Sequence, residues 1–113
     1  MKNPEVEKSK VLNGAEIIDY VPNSVVIKTV IKKATGNVRA VSFDAGEALT
    51  GKISPFDTLI QVIDGRAEIV IDEKSNLLET GQAIIIPAHS SNYLKANEKF
   101  KMLSTTIKSG YED

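Results

Sequence analysis

Residues 46–92 read GEALTGKISPFDTLIQVIDGRAEIVIDEKSNLLETGQAIIIPAHSSN and decide the fold of the chain. Short runs of β-branched residues alternate in this stretch with turn signals, which are Gly46, Asp64-Gly65 and Thr80-Gly81. Such short runs, with apolar residues at alternating positions, predict β-strands. Asp64-Gly65 lies between two β-branched runs and therefore predicts a two-residue hairpin turn.

The same pattern continues on both sides of that stretch. It predicts strands over residues 15–20, 24–33, 38–43 and 100–107, and Thr35-Gly36-Asn37 predicts a hairpin turn. No segment has helical periodicity of any length. So many short strands in a small chain predict an all-β fold, and a single-domain jelly-roll β-barrel fits best because closure removes exposed sheet edges. We expect a polar N-terminal arm over residues 1–12, the barrel over residues 13–109 and a polar C-terminal tail over residues 110–113.

The composition is that of a globular domain. Of the 113 residues, 42% are hydrophobic and 26% are charged, which suits one domain with its own core. The formal net charge is −1, from 14 Lys+Arg and 15 Asp+Glu, and this balance argues against nucleic acid as a partner. No apolar run is long enough to span a membrane, no cysteine is present, and the polar first ten residues do not resemble a signal peptide. We expect a cytoplasmic protein.

Three adjacent isoleucines, Ile84, Ile85 and Ile86, bear on the oligomeric state. Successive side chains of a strand point to opposite faces, so these three cannot all point into one core. The outward-facing isoleucine needs cover from a loop, from a second sheet or from another subunit. We expect a homodimer.

Four turn residues carry a resemblance to a known family. Gly46 and Gly65, and then Gly81 and Pro87, stand at the spacings of the two sequence motifs of the small cupins, the cupin type 2 conserved-barrel family. The resemblance extends over about residues 14–107. It implies the same jelly-roll barrel.

The positions at which that family binds a metal are substituted in this chain. The resemblance implies three imidazoles and one carboxylate there, but the chain has Lys52, Ser54, Thr58 and Asn92. None of these is a good ligand for iron, manganese, nickel or zinc. A lysine ammonium about 4 Å from a divalent ion would cost on the order of 8 kcal/mol at an effective dielectric near 20. We therefore expect no metal and no other cofactor at this place.

The single histidine, His89, is not expected to replace the missing ligands. It stands three positions before Asn92, and an odd offset in a strand places two side chains on opposite faces. A surface or turn histidine is the expectation, with a ligand contact at the barrel mouth as the alternative.

Lys52, Ser54, Thr58 and Asn92 are instead candidates for a polar pocket inside the barrel. The spacing of the first three, two and four residues apart, places them on one face. They could bind a small polar or anionic ligand between apolar walls. Alternatively, they satisfy one another or bind water in a site that has lost its metal. A desolvated Lys52 could also form a Schiff base with a carbonyl compound.

Three classes of function remain open at this point. The sequence favours a metal-free barrel that binds or senses a small molecule, with no catalytic residue assigned. The second class is an enzyme, either a metal-free isomerase-type cupin or a metal enzyme with atypical ligands. The third is a structural or interaction protein with a vestigial pocket.

Overall fold

A computed structural model describes residues 6–111. Eight strands follow a single 3-10 turn at Gly14–Glu16: β1 (Val25–Lys33), β2 (Gly36–Phe43), β3 (Ala48–Gly51), β4 (Asp57–Ile71), β5 (Lys74–Glu79), β6 (Ala83–Ile86), β7 (Asn92–Lys95) and β8 (Phe100–Ile107). No helix among these residues is long and apolar enough to cross a membrane. The predicted all-β fold class is confirmed.

The long strand β4 belongs to two sheets. Its first half pairs with β8 and β6, which gives a first sheet in the order β1-β2-β8-β4-β6. Its second half pairs with β7 and β5, which gives a second sheet in the order β3-β7-β4-β5. All neighbouring strands are antiparallel, and the shared strand curls the two sheets into the half-barrel of a jelly roll.

The prediction of a hairpin turn at Asp64-Gly65 is wrong, because both residues lie inside β4. The pairing of β4 with β8 shifts register between Val62 and Asp64, and Gly65 has a φ of 83°. A Cβ at Gly65 would collide with the backbone carbonyl oxygen of Lys99. Glycine is needed here because the strand bends through a bulge as it passes from one sheet to the other.

The local turns are formed elsewhere. β1 and β2 make the predicted hairpin, and its two-residue turn is Ala34-Thr35, because Lys33 pairs with Gly36. β4 and β5 are joined by Asp72 and Glu73, whose φ values are 46° and 70°. Two successive positive φ values are typical of the hairpin turn that matches the twist of the strands.

The strand predicted over residues 15–20 is also wrong. This segment contains the 3-10 turn and then runs irregularly across the first sheet. Side chains of the sheet satisfy its backbone carbonyl groups: Lys101 Nζ donates a hydrogen bond to Ala15 O, and Ser42 Oγ donates one of 2.8 Å to Asp19 O. Hydrogen bonds to side chains thus replace those of a strand ladder.

The core lies between the facing sides of the two sheets. Phe43 and Phe100 are fully buried and stack with ring centroids 4.5 Å apart. Ile69, which belongs to the second half of β4, is also fully buried. Burial of each such side chain contributes about 1.5–3 kcal/mol to folding.

The opposite side of the first sheet carries an uncharged row of side chains, of which Ile31 and Ile85 are exposed. Cross-strand pairing places one residue from each of its five strands side by side: Ile31, Val38, Thr105, Leu59 and Ile85. Ile85 is 59% exposed, whereas its neighbour Ile86 is buried. The prediction that the three isoleucines divide between two faces is confirmed. We call this side the outer face of the first sheet.

The predicted terminal segments extend beyond the described residues. Residues 1–5 of the predicted arm and residues 112–113 of the predicted tail lie outside them. Within the described part, Tyr111 packs against Phe56 at 5.8 Å between ring centroids, and its hydroxyl accepts a 2.8 Å hydrogen bond from Asp57 N. The boundaries of arm, barrel and tail stay predictions.

Candidate functional site

A cavity of about 580 Å³ opens between the inner faces of the two sheets. Its volume falls within the range of about 300–1,000 Å³ that is usual for pockets that bind small molecules. The first sheet supplies most of the wall, and β3, β7 and the loop between β3 and β4 supply the rest.

The cavity brings together all four predicted pocket residues. Lys52 and Ser54 lie in the loop between β3 and β4, Thr58 is near the start of β4, and Asn92 is the first residue of β7. Lys52 is exposed, whereas the other three are half-buried. All four line one cavity, although Lys52 and Ser54 lie in a loop and not in the strand whose alternation predicted a common face for Lys52, Ser54 and Thr58.

The floor of the cavity is apolar. Val41 on β2 and Met102 on β8 are cross-strand neighbours, and each is 3% exposed. Ile60 on β4 and Leu94 on β7 line the same space and are equally buried. Behind the pair of Val41 and Met102 lies the pair of Phe43 and Phe100, which closes that end of the barrel.

The opposite end of the cavity is polar. Thr58 and Thr106 are cross-strand neighbours whose hydroxyl oxygens lie 3.1 Å apart and share a hydrogen bond. Ser54 Oγ accepts a 3.1 Å hydrogen bond from Phe56 N, and Ser90 Oγ donates one to Pro87 O. These hydroxyls are thus partly satisfied within the protein.

Asn37 differs from those hydroxyls. Its Oδ1 atom is buried and has no hydrogen-bond partner among the described residues. Asn37 lines the cavity from β2 and is the cross-strand neighbour of Thr106. Because a buried acceptor without a donor costs about 1–3 kcal/mol, such an atom is a candidate contact for a bound molecule or for water.

The Asn92 amide is placed by a glycine on the neighbouring strand. Gly51 and Asn92 are paired across β3 and β7, and a Cβ on Gly51 would overlap the side-chain amide of Asn92. The amide therefore lies directly over the Gly51 backbone. Glycine at residue 51 gives Asn92 the space to line the cavity.

The sequence analysis missed two cations of the site, Arg39 and Lys108. Arg39 lies two residues from Asn37 and two from Val41 on β2, and all three line the cavity. The signal was present, because residues two apart in a strand share a face. Arg39 and Lys108 lie outside the two cupin motifs, which span residues 46–92.

The residues of the cavity do not fit a transition metal. Its wall contains no histidine, cysteine, aspartate or glutamate, and three of its side chains are cationic. In the described residues no group of three or more such metal-binding side chains occurs anywhere. Hydroxyl and amide oxygens beside cations are poor ligands for the metals that imidazole and carboxylate bind.

His89 lies in a turn, as predicted. It is exposed, has a φ of 67°, and its backbone N–H donates a 2.7 Å hydrogen bond to Ser54 O. Its side chain does not line the cavity, although the neighbouring Ser90 does.

The Lys52 side chain is exposed, so its amine is not in the desolvated setting that Schiff-base chemistry favours.

No protein-family model and no curated protein matches the chain. Solved structures do. A conserved Streptococcus pyogenes protein of unknown function superposes with a TM-score of 0.88 at 26% identity, over 97% of this chain and 96% of the other. A cupin superfamily protein from Desulfitobacterium hafniense gives a TM-score of 0.86 at 23% identity, over 96% and 100% of the two chains.

A third solved structure is a cupin 2 conserved barrel domain protein from Leptotrichia buccalis. It superposes with a TM-score of 0.80 at 29% identity, over 83% of this chain and 46% of that longer chain. These structural matches confirm the resemblance drawn from Gly46, Gly65, Gly81 and Pro87. The protein has the fold of a small single-domain cupin.

Proposed function

We propose that the protein is a metal-free barrel that binds a small molecule in the cavity between its two sheets. The observation that carries the proposal is the form of the cavity: about 580 Å³ of open space with an apolar floor and a polar mouth. A vestigial pocket would be filled by its own side chains, because protein interiors pack to high density. No catalytic residue is part of the proposal.

The absence of a metal from the proposal follows from the side chains that are present. Lys52, Ser54, Thr58 and Asn92 occupy the positions that the cupin resemblance assigns to metal ligands, and all four line the cavity. Elemental analysis of the purified protein is expected to find no stoichiometric metal. Iron, manganese, nickel or zinc near one per chain, lost in an Asn92→Ala variant, would contradict this part of the proposal.

Native mass spectrometry of the purified full chain tests whether the cavity holds a molecule. We expect an additional mass that dissociates under collisional activation and that is absent from a Ser54→Trp variant, in which an indole blocks the mouth. Leu77→Trp is the matched control, because Leu77 on β5 is 75% exposed and lies outside the cavity. An adduct that both variants retain equally would place the bound molecule elsewhere and would count against the proposal.

The proposal includes a homodimer formed by the outer face of the first sheet. Its row of Ile31, Val38, Thr105, Leu59 and Ile85 carries no charge, and large exposed apolar patches mark interaction sites. A second copy is the occupant we propose, because a two-fold axis would bring the same uncharged row of each subunit together. A monomer mass from size-exclusion chromatography with light scattering would contradict it.

We also propose a cytoplasmic location, in keeping with a chain without cysteine.

A further inference from the structure

We infer that the ligand of the cavity is a small organic anion, whose carboxylate or phosphate group lies at the mouth against Arg39, Lys52 and Lys108. The inference rests on the proposed function, because it names the class of molecule that the same cavity takes up. It adds Arg39 and Lys108 to the residues that decide specificity.

The wall of the cavity is cationic although the protein as a whole is not. The chain has a net charge of −1, yet three cationic side chains and no carboxylate line this space. A concave site with charges of one sign and low-dielectric walls focuses the electrostatic field and raises the local concentration of the opposite ion. An anion is therefore attracted to the cavity and a cation is repelled from it.

The protein does not neutralise these charges itself. Within residues 6–111, Arg39, Lys52 and Lys108 form no ion pair, in contrast to Arg66, which pairs with Glu79 at 3.0 Å. The cross-strand neighbours of Arg39 are Thr29 and Ser104, which are both uncharged. The guanidinium fork of Arg39 thus keeps its donors for a ligand, and such a fork matches a carboxylate or a phosphate in geometry.

Hydrogen-bonding groups stand beside Arg39 on the same face. Asn37 is two residues away on β2, and its buried Oδ1 has no partner among the described residues. Ser104 and Thr106, the cross-strand neighbours of Arg39 and Asn37, add two hydroxyls to this part of the wall. A ligand with a hydroxyl near its anionic group would satisfy Asn37 Oδ1 while the anion contacts Arg39.

The distribution of polarity sets the orientation of the ligand and argues for an organic anion. Arg39, Lys52 and Lys108 are all exposed, so the charge of the ligand belongs at the mouth. Val41 and Met102 are buried at the floor, so the carbon body of the ligand belongs there. An inorganic ion would leave the apolar floor without a contact.

Matched six-carbon probes test the assignment in the full chain: hexanoate, hexyl phosphate, neutral hexanamide and cationic hexylammonium. Binding is followed through the methyl signal of Met102 at the cavity floor, which is simple to read because the chain has only two methionines. A Met102→Leu variant assigns that signal. We expect saturable shifts from both anions at millimolar concentration, and none from hexanamide or hexylammonium.

Variants identify the group that recognises the charge. Arg39→Gln is expected to weaken hexanoate binding about tenfold or more, because a hydrogen bond to a charged group is lost. Lys95→Gln is the matched control and is expected to leave binding unchanged, because exposed Lys95 on β7 does not line the cavity.

The outcomes separate this inference from the proposed function. Hexanamide or hexylammonium binding as tightly as hexanoate would overturn the anion assignment and leave a small-molecule cavity intact. Anion binding that Arg39→Gln does not weaken would remove Arg39 from the site. No shift of Met102 with either anion would overturn the inference, while native mass spectrometry decides the proposed function independently.

Discussion

Tyr20 donates a 2.6 Å hydrogen bond from its hydroxyl to Asp64 Oδ2. The ammonium groups of Lys99 and Lys101 lie over the same ring, 4.8 Å and 4.7 Å from its centroid. Lys101 in turn donates to Ala15 O. These contacts connect the segment that precedes β1 to the part of β4 that lies between its two sheets.

The Tyr20–Asp64 contact predicts a loss of stability in alkali. Burial, and then the hydrogen bond and the charge of Asp64, raise the pKa of Tyr20 above its ordinary value of 10.0. The folded state favours the neutral phenol, so the contribution to stability is full below pH 10.0 and is lost as the pH rises from there through the higher folded-state pKa. Tyr20→Phe is expected to lower the free energy of unfolding by about 1.5 kcal/mol at pH 7.

Urea denaturation at a series of pH values measures this effect. The difference between the original protein and Tyr20→Phe is expected to shrink above pH 10.0, because only the original protein loses the phenol contact there. The phenyl ring of the variant keeps its contacts with Lys99 and Lys101, so these contacts are common to both proteins. Tyr93→Phe is the control, since Tyr93 is on β7 outside these contacts. A pH-independent difference would contradict the assignment.

Asp44 is expected to stabilise the protein at neutral pH and to lose this contribution in acid. Hydrogen bonds from the backbone N–H groups of Asn23, at 2.7 Å, and of Ala45, at 2.9 Å, hold the pKa of Asp44 below its ordinary value of 3.8. Its contribution is present above pH 3.8 and is lost as the pH falls from there through the lower folded-state pKa. In urea denaturation at a series of pH values, Asp44→Asn should make the free energy of unfolding depend less on pH below 3.8. Glu47→Gln, whose side chain makes no hydrogen bond among the described residues, should leave it unchanged; equal slopes for both variants would refute the prediction.

Two glycines with similar backbone conformations are expected to respond differently to alanine. Gly46 and Gly65 have φ values of 88° and 83°, but a Cβ at Gly46 meets open space, whereas one at Gly65 meets the backbone at Lys99. Gly46→Ala should lower the free energy of unfolding by about 1–2 kcal/mol, because alanine is strained in the left-handed conformation. Gly65→Ala should cost about 1–3 kcal/mol more, because the backbone must also move. Equal losses of unfolding free energy in urea denaturation would show that the bulge of β4 at Gly65 has room for a side chain.

The contact between Gly51 and Asn92 predicts a coupling. Gly51→Ala should destabilise the protein by about 1–3 kcal/mol, because the new methyl group overlaps the Asn92 amide. In a Gly51→Ala/Asn92→Ala double variant the obstruction is gone, so the loss should be smaller than the sum of the two single losses. Additive losses in a double-mutant cycle would mean that the amide does not lie over Gly51.

The proposed dimer predicts a separate outcome for Ile85. Ile85→Glu places a charge in the uncharged row of the outer face, so light scattering should show dissociation to monomers. Leu77→Glu is the matched control, because Leu77 is 75% exposed on β5 and belongs to the other sheet. A dimer that survives Ile85→Glu and not Leu77→Glu would place the interface on the second sheet.

The sequence by itself determined the class of fold and part of the site. Alternation with a period of two identified most of the strands and divided Ile84, Ile85 and Ile86 between two faces, and the motif spacing pointed to Lys52, Ser54 and Thr58, which line the cavity. The reason is local, since the pleat of a strand fixes which side chains share a side before any partner strand is known.

Only the tertiary structure decided which of those faces meet. Asp64-Gly65 carries the local signal of a hairpin, yet the chain continues through it as one strand. The reason is that β8 pairs with the first half of β4 and the second sheet pairs with its second half. Arg39, Asn37 and Lys108 lie outside residues 46–92 and reach the cavity because β2 pairs with β8, and β8 with β4. The charge of the cavity depends on this long-range pairing, which no local pattern specifies.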